Sequence, residues 1–195
     1  MKLGDHRLLL QDALLIAIMA TLAGCGLIYE YLLSHYAGRV LGAIESTIYT
    51  MIGLMIVSMG AGAFAAKLIK QPFSGFAWLE AMVALLGMTC IVVIAGLVSF
   101  AAILPSVIAE TYQLPPDLLP QGGVYAGMQT AARYSPFVLG TLIGFLIGME
   151  IPLIARVRES VYGRHLVHNA GTIYGADYLG AGAGAAVWVI LMLSM

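Results

Sequence analysis

The sequence predicts an all-α, polytopic membrane bundle of about five transmembrane helices with a cytoplasmic N-terminus. Three observations carry that expectation. Five apolar stretches make up most of the 195 residues, each near or above the roughly 20 residues that cross a ~30 Å hydrocarbon layer as a helix. Mean hydropathy is +0.95, and only 10% of residues are charged. The basic residues are also lopsided: Lys2, Arg7, Lys67, Lys70, Arg156, Arg158 and Arg164 fall on one side, and only Arg39 and Arg133 on the other. Cytoplasmic loops carry the excess of Lys and Arg, so the first side is inside. Lipid offers backbone groups no partners, so the spans are helical.

The whole chain, 1–195, reads as a single transmembrane domain with spans near 12–36, 44–69, 77–104, 135–156 and 172–195. In the first span, Leu22-Ala23-Gly24-Cys25 has the form of a lipoprotein cleavage site. The apolar run continues through Leu27, Ile28, Leu32 and Leu33, however, so an uncleaved helix is expected. A short outer linker leads to the second span, and Pro72 and Gly75 break the chain before the third. An extracytoplasmic loop is expected over 105–134, with Pro105, Pro115, Pro116, Pro120 and Gly122-Gly123; its second half, 124–134, could lie on the membrane surface as a short helix. The inner segment after the fourth span holds Arg156, Arg158, Arg164, His165 and His168, which suit anionic headgroups. The two histidines are three apart, yet a solvated inner loop is their plainer reading.

Small residues say how the helices meet. Gly140, Gly144 and Gly148 repeat every four residues, as do Ala176, Gly180 and Gly184, while Gly53 and Gly60 lie seven apart near Gly62. Such ladders let helix backbones approach closely where lipid gives no hydrophobic drive. Packing within the chain is the plain use of these seams, and a homodimer face is the alternative. The Gly180–Gly184 run is not a nucleotide loop, because it lies inside an apolar span and no acid follows at the required distance. Cys25 and Cys90 fall inside spans and read as reduced, structural residues. No metal motif, Ser/His/acid arrangement or nucleic-acid-binding basic domain is present in the sequence.

Intramembrane acids are costly, about 2.5–3.5 kcal/mol each on insertion scales, and mark function or a paired interior. Glu45 and Glu80 lie near span ends and read as interfacial. Glu150 is more telling: Pro152 removes a backbone donor and frees the carbonyl of Gly148, which sets an acid beside a free acceptor. Arg156 is a poorly aligned partner for it. Asp177 lies between Tyr174 and Tyr178 and ahead of Gly180, and Glu30 lies between Tyr29 and Tyr31. Glu30, Glu150 and Asp177 either pair with Arg39, Arg133 or tyrosine hydroxyls, or meet as a cation or polyamine site with Tyr29, Tyr174 and Tyr178 as hydroxyl or cation–π partners.

Taken in order, Gly26-Leu27-Ile28-Tyr29-Glu30, Ile52-Gly53-Leu54, Ser58-Met59-Gly60-Ala61-Gly62, Gly148-Met149-Glu150-Ile151-Pro152-Leu153 with Arg156, and Gly175-Ala176-Asp177-Tyr178-Leu179-Gly180-Ala181 form a set. This set resembles the N-terminal membrane half of the membrane-bound polyamine aminopropyltransferases, the spermidine synthase-like multispanning proteins. The resemblance implies a bacterial inner-membrane protein in which a membrane domain is joined to a cytoplasmic Rossmann-like transferase domain. That second domain would bind decarboxylated S-adenosylmethionine and transfer aminopropyl to putrescine. It has no counterpart in these residues, so the sequence is expected to be a fragment without catalytic residues or a cofactor of its own. Five spans also leave the C-terminus outside, whereas a cytoplasmic domain needs an even number. The expected roles are to anchor the enzyme in the lipid bilayer and to bind or move polyamine; a stand-alone small transporter and a purely structural module are the alternatives.

Overall fold

The structure is a computed structural model that describes residues 3–42, 44–113, 115, 122–162 and 166–192, and within them the side chains of 10–42, 45–113, 115, 122–160 and 170–191. Lys2, Pro116, Pro120, Arg164 and His165, and the side chains of Arg7 and His168, lie outside this description. The described residues are helical: α1 Leu3–Leu41, α2 Ile44–Ala65, α3 Pro72–Thr111, α4 Val124–Tyr162 and α5 Leu166–Val187. A 3-10 turn, Ala66–Leu68, extends α2, and a π-helical turn, Trp188–Met192, ends α5. Five segments are long and apolar enough to cross a membrane.

Three of the helices, α1, α3 and α4, run well past the expected spans. α3 continues through Pro105 to Thr111, and α4 is helical from Val124, so much of the segment expected as a loop or surface helix extends the flanking helices. Proline deletes one donor without forcing a stop when a neighbour takes up the freed carbonyl. At Pro136 that carbonyl belongs to Ala132, and the Ser135 hydroxyl donates to it at 3.0 Å. Pro136 itself is fully buried.

α1 packs on α5, while α2 and α3 both pack on α4; α1 also touches α2. The glycine ladders lie on these lines. A Cβ at Gly148 would strike the backbone of Met59, and one at Gly144 would lie 2.9 Å from the Met55 carbonyl oxygen, so α4 lies directly against α2. At Gly140 the neighbours are the Met51 and Leu33 side chains. Gly180 abuts the Ala20 carbonyl and Gly184 abuts Gly24, which joins α5 to α1. Both seams are thus used within the chain. Gly53 has nothing near it and stays open on the outside of α2.

Three apolar clusters fill the bundle. One groups Leu33, Met51, Met55, Cys90, Ile94 and Ile143 from four helices. A second joins Met19, Ile154, Ile173 and Ala176, and a third joins Ala66, Leu79, Met149 and Leu153. Cys25 and Cys90 are both free thiols, Cys90 within the first cluster. Large apolar side chains such as Val57, Phe64, Trp78, Met88 and Val92 point outward, which suits a surface whose solvent is lipid. The polar residues that matter lie between the clusters.

Candidate functional site

Glu30 of α1, Glu150 of α4 and Asp177 of α5 line one cavity of about 390 Å³. The α2 wall is uncharged and consists of Met59, Gly60 and Ala63. Small residues make the room: Gly26, Gly60, Gly148 and Ala181 face the space where larger side chains would close it. Pro152 also lines it, together with Gly148, whose carbonyl loses its helical donor to that proline. The cavity therefore presents three carboxylates and a freed carbonyl between aliphatic walls.

Glu150 is the most enclosed of the three acids, with 3% of its surface exposed. Among the described residues no Lys or Arg forms an ion pair with Glu30, Glu150 or Asp177, and no side-chain hydrogen bond reaches Glu150. Arg39 is exposed, and Arg133 lines a separate crevice with Val40, Tyr125 and Gln129, so the expected pairing of the acids with these two arginines does not occur. That crevice is larger, about 570 Å³, but brings one cation and no acid together. It shares no residue with the acid cavity.

Arg156 also departs from its expected partner. It donates to the Ile69 carbonyl at 2.6 Å, the Ala66 carbonyl at 3.2 Å and the Lys70 carbonyl at 3.3 Å. A helix end leaves its last carbonyls without intrahelical donors, and Arg156 fills that gap at the end of α2 instead of neutralising Glu150. Arg158 pairs with Asp12 at 3.0 Å and fastens α4 to α1 away from the cavity.

The tyrosines divide. Tyr174 lines the cavity. Tyr178 is 72% exposed and lies over Tyr174, ring centroids 6.5 Å apart, outside the lining. Tyr29 packs against α3 at Gly87, where a Cβ would fall 2.8 Å from its hydroxyl oxygen, and does not line the cavity either. Glu80 corrects the expectation of an interfacial acid. It lies two turns into α3, one turn beyond Phe76, which packs against both inner clusters. Its Oε1 is buried with no hydrogen-bond partner among the described residues. Glu80 and Asp177 are both within Coulombic reach of Glu150. No three His, Cys, Asp or Glu side chains among the described residues stand close enough to hold one metal ion.

No family model matches the chain, and no solved structure matches it. Curated relatives do. A polyamine aminopropyltransferase of Shewanella oneidensis is 62% identical over 184 residues, which cover 94% of this chain and 32% of the relative. One from Mycobacterium tuberculosis is 30% identical over 93% of this chain and 31% of its own length. Polyamine aminopropyltransferase 1 of Streptomyces coelicolor is 24% identical over 97% and 31% respectively. The chain is therefore a homologue of polyamine aminopropyltransferases, matched over nearly its whole length and spanning about a third of theirs.

Proposed function

We propose that this chain is the membrane module of a polyamine aminopropyltransferase of the bacterial inner membrane, and that it holds a cation in the cavity between α1, α2, α4 and α5. The single observation that carries the binding half is the convergence of Glu30, Glu150 and Asp177 on one cavity without an arginine or lysine to neutralise them. Each acid at membrane depth costs about 2.5–3.5 kcal/mol on insertion scales. Acids that only fastened helices would be paired with one another's helices through cations. These face a space.

Five apolar helices on a chain similar to enzymes about three times its length support the anchoring half of this reading. In this reading the transferase chemistry, with decarboxylated S-adenosylmethionine, belongs to residues outside these 195. The chain alone transfers nothing.

The test begins with the natural gene beyond codon 195. The reading frame should continue into another span and then a soluble domain, and the full-length product should sediment with membranes. Deleting residues 1–195 together with that span should move aminopropyltransferase activity into the supernatant. A stop codon at that point, or activity that stays in the membrane pellet without these residues, overturns the anchoring role.

A further inference from the structure

The three acids share a cavity but do not converge on a point. A divalent cation needs oxygen ligands gathered around one position, six or more of them for calcium. Among the described residues no such gathering of acids exists. The cavity also has a second character, because Leu27, Met59, Ile147 and Ile151 line it between the carboxylates. Separated negative charges divided by aliphatic wall match a ligand whose positive charges are separated by methylenes.

Glu150 makes this more than an acidic patch. It is buried, it lines the cavity, and no hydrogen bond or ion pair joins it to another described side chain. A cation that pairs with it would have to sit in the cavity. An ammonium group has three donors and no acceptor, so it also has use for the Gly148 carbonyl that Pro152 frees. Tyr174 adds a ring face at the α5 side, the kind of surface that attracts a cation. A volume of about 390 Å³ lies within the ordinary range for small-molecule sites, about 300–1,000 Å³.

We propose that the cavity takes a linear diamine or polyamine, one ammonium at Glu150 and another at Asp177 or Glu30, which lie to either side of Glu150 along the bundle, in preference to a metal ion or a monoamine. This rests on the cation-binding reading above and narrows it to a ligand class.

The experiment is equilibrium binding to the full chain in nanodiscs of neutral phosphatidylcholine, which keeps polyamine off anionic headgroups. Labelled spermidine is the probe, with putrescine, n-butylamine and Mg²⁺ as competitors. Spermidine and putrescine should each bind about tenfold or more tightly than butylamine, the worth of one further charge-assisted contact. Mg²⁺ at matched charge should fail to displace them. Asp177→Asn should weaken spermidine by about tenfold and narrow its advantage over butylamine; Glu30→Gln provides the same reading should Asp177→Asn not fold. Butylamine binding as tightly as spermidine, or displacement by Mg²⁺, overturns the ligand class and leaves the cation site standing. A wild-type chain that binds none of the four overturns the cation site itself.

Discussion

Glu150 is a buried carboxylate whose charged neighbours, Glu80 and Asp177, carry the same sign. Nothing in helix packing requires that arrangement, and a buried carboxyl without a partner costs folding free energy. Neutralising it should therefore stabilise the empty protein. Glu150→Gln is expected to raise the detergent unfolding midpoint, by about 1 kcal/mol or more, while abolishing the stabilisation that added spermidine gives the wild type. A fall in the midpoint would show that the carboxylate fastens helices. Arg158 poses the opposite case. It is 4% exposed and paired with Asp12, so Arg158→Ala strands its partner and should cost about 3 kcal/mol. Replacing both residues by Met and Leu should recover most of that loss, as double-mutant unfolding curves would show. At this scale the sequence was uneven. Glu150 was legible because Pro152 and Gly148 stand beside it. Glu80 and the Asp12–Arg158 pair were not, because both depend on which helices become neighbours. Tyr29 and Tyr178 flank acids in sequence but project elsewhere, for adjacent residues on a helix point about 100° apart.

The five helices were legible from apolar length alone, and the faces of α4 and α5 from glycine spacing. The partner of each face was not, since a glycine ladder states that something lies close and leaves its identity open. Helix ends were the least legible feature. Pro105 was expected in a loop and Pro136 at the edge of a span, yet helix runs through both; at Pro136 the Ser135 hydroxyl takes up the carbonyl the proline leaves free. The seams make a direct prediction. Gly148→Leu would drive a side chain into the Met59 backbone, and Gly180→Leu into that of Ala20; each should destabilise by about 1–3 kcal/mol. Gly53→Leu, with nothing near it, should leave stability within about 0.5 kcal/mol of wild type. Unfolding titrations in mixed detergent would separate the three. Equal losses at all three positions would mean that close packing at the seams does not set the cost.

Across the whole molecule, α1 and α5 form one packed pair and α2, α3 and α4 another unit, with the acid cavity between them. Clusters that cross the two units, Leu33 with Met51 and Ile143 and Met19 with Ile154, hold them together around the cavity. Five crossings put the α1–α2 and α3–α4 connections on one side of the membrane and the α2–α3 and α4–α5 connections on the other. The orientation we propose follows the positive-inside rule: Lys67, Lys70, Arg156 and Arg158 cluster at the second set, and Arg39 and Arg133 at the first. Arg156 strengthens the assignment, because its bonds to the carbonyls of Ala66, Ile69 and Lys70 gather the end of α2 and the end of α4 at one face. Single cysteines test this in a chain with Cys25 and Cys90 replaced by alanine. Gln113 and Gln71 are both exposed and lie at opposite ends of α3. Gln113→Cys should react with a membrane-impermeant maleimide added outside spheroplasts, and Gln71→Cys only after the membrane is permeabilised. The reverse pattern would invert the bundle. It would also place the Lys67, Lys70, Arg156 and Arg158 face outside, away from the anionic cytoplasmic leaflet that attracts such residues.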